Sequence, residues 1–161
     1  MYTPLSKAYG DMELVLDVDP TKTAGQGFGS ATGQYMDVCL KFDPATLTGY
    51  GLRIIRTTKH AKAVDFHLVA YQHGEVKAIS EPISSTCYRT GCTIRLKTEG
   101  TRLMAHVSTA TPRPADSTLP HEVDLAADIT PNSFGGIAIQ HTGSSGGEST
   151  TMLHHLLVKW K

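Results

Sequence analysis

The amino-acid sequence predicts an all-β domain, a sandwich or barrel of about nine or ten short antiparallel strands. Apolar and polar residues alternate with period two in run after run, and no stretch carries a helical period. The 15 glycines and 8 prolines fall largely between those runs, where turns are needed.

At 161 residues the chain fits one domain and can bury a core without metal or disulfide staples. Its 15 basic residues balance 15 acidic ones, so the long-range field that gathers nucleic acid or an anionic membrane is missing at the level of the whole chain. No apolar run approaches the roughly 20 residues that span a bilayer, and the N-terminus has neither the charged nor the apolar region of a signal peptide. Met1-Tyr2-Thr3-Pro4 leads almost directly into structure, and the chain stops at Lys159-Trp160-Lys161 inside an expected strand. Residues 1–161 are therefore expected to be one module excised from a longer protein. Cys87 and Cys92 enclose a loop that a disulfide closes if the two Cα atoms approach to about 5.5 Å. Reduced thiols packed as small hydrophobes are the alternative. A bridge would imply an extracellular or periplasmic setting, and the unpaired Cys39 counts against it.

The first strand is expected at residues 12–18, closed by Asp19-Pro20 and followed by a Gly-rich loop at 24–33. In residues 34–42, Met36, Val38, Leu40 and Phe42 share one face while Tyr35, Asp37, Cys39 and Lys41 share the other. The first set must be core. Residues 49–57 turn Tyr50, Leu52 and Ile54 inward and Arg53 outward. Residues 62–71 set Val64, Phe66, Leu68 and Ala70 against Asp65, His67 and Tyr71, and Gln72-His73-Gly74 fits a three-residue hairpin with glycine left-handed. In residues 92–108, Glu99-Gly100 reads as a two-residue turn that pairs Thr98 with Thr101, Leu96 with Leu103 and Ile94 with Ala105. The outward face then carries Arg95, Lys97, Arg102 and His106, with Lys97 opposed to Arg102, a like-charge pair that needs an acidic neighbour or solvent. A proline-rich loop at 111–120 precedes strands at 122–127, 135–142 and 149–160. Parity marks Val38, Leu40, Leu52, Ile54, Phe66, Leu68, Ile94, Leu96, Leu103 and Ile139 as nearly inaccessible.

The run Tyr50-Gly51-Leu52-Arg53-Ile54, the strand 64–71 with His73-Gly74, and Cys92-Thr93-Ile94-Arg95-Leu96 through Leu103 resemble the middle strands of concanavalin-like and laminin-G-like domains. Phe134-Gly135-Gly136-Ile137-Ala138-Ile139-Gln140 before a terminal strand resembles their closing segment. The resemblance implies a two-sheet antiparallel jelly-roll sandwich in which strand 12–18 lies beside the terminal strand near 152–158. That superfamily holds lectins, carbohydrate-binding modules, glycan hydrolases and lyases, and adhesive ectodomains, so fold alone does not choose among them.

Chemistry narrows the choice. None of the 8 histidines falls in a zinc spacing, and the neighbours His154 and His155 must point to opposite faces of a strand. Gly25-x-Gly27-x-Gly29 lacks the strand-then-helix context of a phosphate loop. No strand offers the paired carboxylates of a glucanase, and Ser144, Ser145 and Ser149 near His141 come without an elbow motif. With Asn132 the lone asparagine, a lectin-type calcium site is not expected, and neither is any cofactor.

Outward parity leaves Tyr35, Asp37, Arg53, Asp65, His67, Tyr71, Arg95 and His106, aromatic faces and hydrogen-bonding groups of the kind that bind sugars. An ordinary solvated sheet face is the alternative for each. The expected function is a non-catalytic carbohydrate-binding or ancillary module of a larger polysaccharide-processing protein, with a glycan as partner, no nucleic acid and no membrane insertion, outside the cell or in the periplasm. The competing expectations are a structural domain packed on a catalytic neighbour and a glycan hydrolase or lyase. If Arg53, His67, Tyr71 and Arg95 line one groove, replacing Tyr71 or Arg95 is expected to weaken binding without loss of thermal stability.

Overall fold

A computed structural model describes residues 1, 8–21, 33–56, 63–109, 118–142 and 150–161. In these the strands are β1 (Met12–Thr21), β2 (Tyr35–Asp43), β3 (Thr48–Arg56), β4 (Val64–Gln72), β5 (Glu75–Ala78) and β6 (Ile83–Ser85). A short 3-10 helix (Cys87–Thr90) precedes β7 (Cys92–Glu99), β8 (Arg102–Ser108), β9 (Glu122–Asp128), β10 (Gly136–His141) and β11 (Thr150–Trp160). All pairings are antiparallel, in a sheet of order β11-β1-β7-β8-β9 and a second of order β10-β2-β3-β4-β5, with β6 also on β4. The two sheets pack into a sandwich, as the alternation requires. Among the described residues no helix is long and apolar enough to cross a membrane.

The core sits between the inner faces of the two sheets. Leu14 and Leu16 of β1, Val38 and Leu40 of β2, Leu52 and Ile54 of β3, Phe66 and Leu68 of β4, Ile94 and Leu96 of β7 and Leu103 of β8 are all fully buried. Ile139 is only partly buried, because β10 is an edge strand with no neighbour on its far side. The terminal strands pair as the jelly-roll resemblance implies, Met12 opposite Trp160 and Leu14 opposite Val158.

Three local expectations fail for identifiable reasons. The β7–β8 hairpin pairs Glu99 with Arg102 and Leu96 with Ala105, two positions away from the expected register. Gly100 takes the first central position at φ +56°, as a type II′ turn demands, and the Asp11 carboxylate accepts its N–H at 2.9 Å. The slip preserves parity, yet it moves Lys97 opposite Met104 and so removes the like-charge pair; Lys97 bonds Glu99 and Arg102 bonds Asp128 instead. The β4–β5 turn is His73-Gly74 alone, both left-handed, which gives a two-residue hairpin. In β2 a bulge at Lys41, φ +52°, turns Phe42 off the core face.

Strand β6 was not expected, and β5 was implied only as the second arm of the hairpin at Gln72-His73-Gly74, since every residue of β5 is exposed and β6 spans 3 residues, too few for a pattern. Cys39, Cys87 and Cys92 are free and buried, so the packed-thiol alternative holds. The Gly25-x-Gly27-x-Gly29 stretch, Ser144, Ser145 and Ser149, and most of the 111–120 loop lie outside the described residues.

Candidate functional site

Register assembles the site. Gln140 of β10 stands opposite Asp37 of β2, Asp37 opposite Arg53 of β3, and Arg53 opposite His67 of β4, so four polar residues cross four strands in one row. Each is flanked along its strand by core residues such as Val38, Leu52 and Phe66, so the row lies on the outer face of the β10-β2-β3-β4-β5 sheet.

Asp37 is 0% exposed although it points away from the core. Arg53 closes a bidentate pair on it, Nε to Oδ1 at 2.8 Å and Nη2 to Oδ2 at 2.7 Å, and the Tyr71 hydroxyl donates to Oδ2 as well. Three donors, two of them charged, replace the water a buried carboxylate would otherwise need. The guanidinium lies 3.9 Å from the centroid of the Tyr35 ring, a cation–π stack. Gln140 completes the circuit: its Nε2 donates to the Tyr35 hydroxyl at 3.4 Å and its Oε1 lies 3.3 Å from the Tyr71 hydroxyl. Arg53 therefore has a fixed plane and a fixed position, its side chain 16% exposed.

Tyr71 stands on β4 opposite Gly49, so its phenol must cross β3 to reach Asp37 on β2. Gly49 and Gly51 of β3 stand where β2 comes close. A Cβ at Gly51 would lie 2.7 Å from Cys39 Sγ and 2.9 Å from the Val38 carbonyl oxygen. Beside the polar row, Cys39, Phe42, Val69, Tyr71 and Ala138 form a second apolar cluster on this outer face, with Phe42 edge-on to Tyr71 at 5.6 Å. The bulge that displaces Phe42 from the core thus supplies the packing that holds Tyr71.

Burial, and then the neighbouring Arg53 charge, hold the His67 pKa below the ordinary 6.5, so the imidazole is neutral at pH 7. Burial and the Asp37 hydrogen bond push the Tyr71 phenol up, and burial pushes the Cys39 thiol up, which keeps both protonated. The Asp37 hydrogen bonds raise the Arg53 guanidinium. Asp65, also buried, accepts from the Ser84 hydroxyl. Tyr35, Arg53 and His67 are partly exposed and Gln140 is exposed, so solvent reaches all four. These are hydrogen-bonding groups beside an aromatic ring, suited to hydroxyls and C–H faces.

Six of the eight expected residues, Tyr35, Asp37, Arg53, Asp65, His67 and Tyr71, share this face. Arg95 and His106 do not: they stand opposite one another on β7 and β8, on the outer face of the other sheet, so one groove holding Arg53, His67, Tyr71 and Arg95 is impossible. Arg95 pairs with Glu13 at 3.2 Å and His106 with Asp124 at 2.8 Å, beside a shallow groove of about 330 Å³. Tyr71 also departs from expectation, since it is 6% exposed and part of a packed cluster, so its removal is bound to cost stability. Gln140 was missed, although the alternation Ile137-Ala138-Ile139-Gln140 gives its parity. Ser84 had no legible signal, because β6 had none. Among the described residues no group of three or more His, Cys, Asp or Glu is placed to hold a metal ion.

No family model and no curated protein sequence matches the chain. Among solved structures it is similar to the carbohydrate-binding module CBM66 from Bacillus subtilis, with a TM-score of 0.55 and 14% identity over 96% of this chain and 78% of that one. It is also similar to CG-16, a homodimeric agglutinin from chicken liver, with a TM-score of 0.52 and 10% identity over 98% of this chain and 96% of that one. At such identities the likeness is one of fold, the all-β two-sheet sandwich.

Proposed function

We propose that the chain is a non-catalytic carbohydrate-binding module, a jelly roll of the concanavalin-like or laminin-G-like kind, serving a larger polysaccharide-processing protein outside the cell or in the periplasm. The ligand face is the outer face of the β10-β2-β3-β4-β5 sheet, around Tyr35, Arg53, His67 and Gln140, with Asp37, Tyr71 and Asp65 as its support. The observation that carries this reading is the fully buried Asp37 holding Arg53 flat against Tyr35, which presents fixed donors beside an aromatic ring. Preorganised donors bind hydroxyls without the entropy cost of ordering a free arginine. The fold shared with a carbohydrate-binding module and an agglutinin supports the reading. So does the inaccessibility of Asp37 and Asp65, the two carboxyls that the described part of the polar row holds, since glycoside hydrolysis uses an open pair.

A glycan array and pull-down on insoluble polysaccharides test the reading. Tyr35→Ala and Gln140→Ala are expected to weaken glycan binding at least about tenfold with a Tm close to that of the unaltered protein, and Arg95→Ala to leave it unchanged. Binding lost in Arg95→Ala and kept in the other two would refute the assignment of the face.

A second reading, a domain that packs on a neighbouring domain of the parent protein, is favoured by β11. This edge strand leaves Met152, Leu153, Leu156 and Leu157 exposed, and long apolar edges are a hazard unless covered. Hydrogen exchange along β11 that is slower in the parent protein than in the isolated chain supports it; equal exchange contradicts it.

A further inference from the structure

We infer that Asp37 sets the charge selectivity of the site, so that the face takes uncharged, hydroxyl-rich glycans and rejects those bearing carboxylates. The inference rests on the reading just given, that this face binds carbohydrate, and it is not what an arginine in a sugar site suggests at first sight. An accessible guanidinium is the preferred partner of a carboxylate because it offers two parallel N–H donors and a full charge. Here the charge and one of the two forks are engaged, the side-on edge of Nε and Nη2. Asp37 takes Nε and Nη2 in the bidentate geometry that a ligand carboxylate would otherwise take, and it does so from a fully buried position that no ligand can displace.

Among the described residues no second cation is bonded into the row, and Lys41 of β2 gives its ammonium to the Tyr9 and Gly10 carbonyls instead. Of the described residues on this face, His67 is held neutral by burial and Arg53, Tyr71 and Cys39 stay protonated, and Asp65 adds a second buried carboxylate two positions along β4 from His67. Arg56, of the opposite parity on β3, donates to the Ala63 carbonyl at 2.8 Å. A carboxylate brought to Arg53 thus meets one guanidinium against the carboxylates of Asp37 and Asp65, and it must shed its own hydration to arrive. A hydroxyl sheds far less water and can accept from the free Arg53 N–H groups and from Gln140 Nε2. Neutralising the arginine keeps its hydrogen-bond geometry and removes its attraction for anions.

The test uses the whole chain and matched ligands: a neutral soluble glucan, and the same glucan oxidised at C6 to the uronate, compared by affinity electrophoresis and calorimetry at low and moderate salt. The neutral form is expected to bind at least about tenfold more tightly, with little dependence on salt. Asp37→Asn, which keeps the side-chain shape and frees the guanidinium charge, is expected to gain affinity for the oxidised polymer at least about tenfold, in a salt-sensitive manner. Equal or tighter binding of the oxidised form by the unaltered protein overturns the inference while the carbohydrate reading stands, and so does a folded Asp37→Asn with no such gain. Binding of neither form overturns the reading and the inference together. Where Asp37→Asn does not fold, the unaltered protein and Asp65→Asn on the same matched pair decide.

Discussion

The two outward faces of the sandwich are built by the same alternation and end in opposite environments. On the β10-β2-β3-β4-β5 sheet the outward polar residues converge on a carboxylate that is 0% exposed, tied by Arg53 and Tyr71. On the β11-β1-β7-β8-β9 sheet they form separate ion pairs on the surface, Arg95 with Glu13, Arg102 with Asp128 and His106 with Asp124, the last with its carboxylate side chain 78% exposed. Outward is therefore not the same as solvated. A network that satisfies every donor and acceptor can bury charge on the outside of a sheet, and that network, not the mere presence of arginine and histidine, distinguishes a candidate site from a surface.

Removing one carboxylate from each face separates the two most strongly. Asp37→Ala leaves the Arg53 charge without a partner in a largely buried position and is expected to cost about 3–5 kcal/mol in urea unfolding. Asp124→Ala on the other face is expected to change stability by no more than about 0.5 kcal/mol. Similar losses from both would erase the contrast.

Gly51→Ala tests how closely β3 approaches β2 beneath the site. The added methyl would meet Cys39 Sγ at 2.7 Å and backbone at 2.9 Å, so β2 or β3 has to shift, at a cost of about 1–3 kcal/mol. A neutral effect on unfolding would mean that β2 and β3 approach less closely than described.

The smallest effect is the dependence on pH. His67 in the folded chain has its pKa below 6.5, so in acid the unfolded chain takes up a proton that the folded chain resists. Stability from this source is complete above pH about 6.5 and is lost as the pH falls below it. His141, also lowered by burial, acts in the same direction. His67→Gln is expected to flatten, without abolishing, the fall in urea midpoint between pH about 7.5 and about 5; an unaltered slope would show that His67 titrates as an ordinary surface imidazole.

Much of this is legible in the sequence. Alternation placed Asp37, Arg53 and His67 outward and their neighbours Val38, Leu52 and Phe66 inward, because parity is a local property of an extended chain. Sheet membership is not local. That β7 and β8 join β1 while β2, β3 and β4 form the other sheet depends on pairings between residues far apart in sequence, such as Leu14 with Leu96, and so Arg95 was grouped with Arg53. Phe42 was misplaced because a bulge reverses parity without leaving a mark in the alternation. The burial of Asp37 was hidden for a related reason: it rests in part on Tyr71 reaching across β3, a contact between residues 34 positions apart.

The most direct test of the account is a nuclear magnetic resonance titration of the labelled chain with a bound glycan, following side-chain and backbone shifts on both faces. The account predicts shifts concentrated at Tyr35, Arg53, His67 and Gln140, with Arg95, His106 and Asp124 unmoved. Shifts confined to the β7-β8-β9 face, or spread evenly over both, would contradict it.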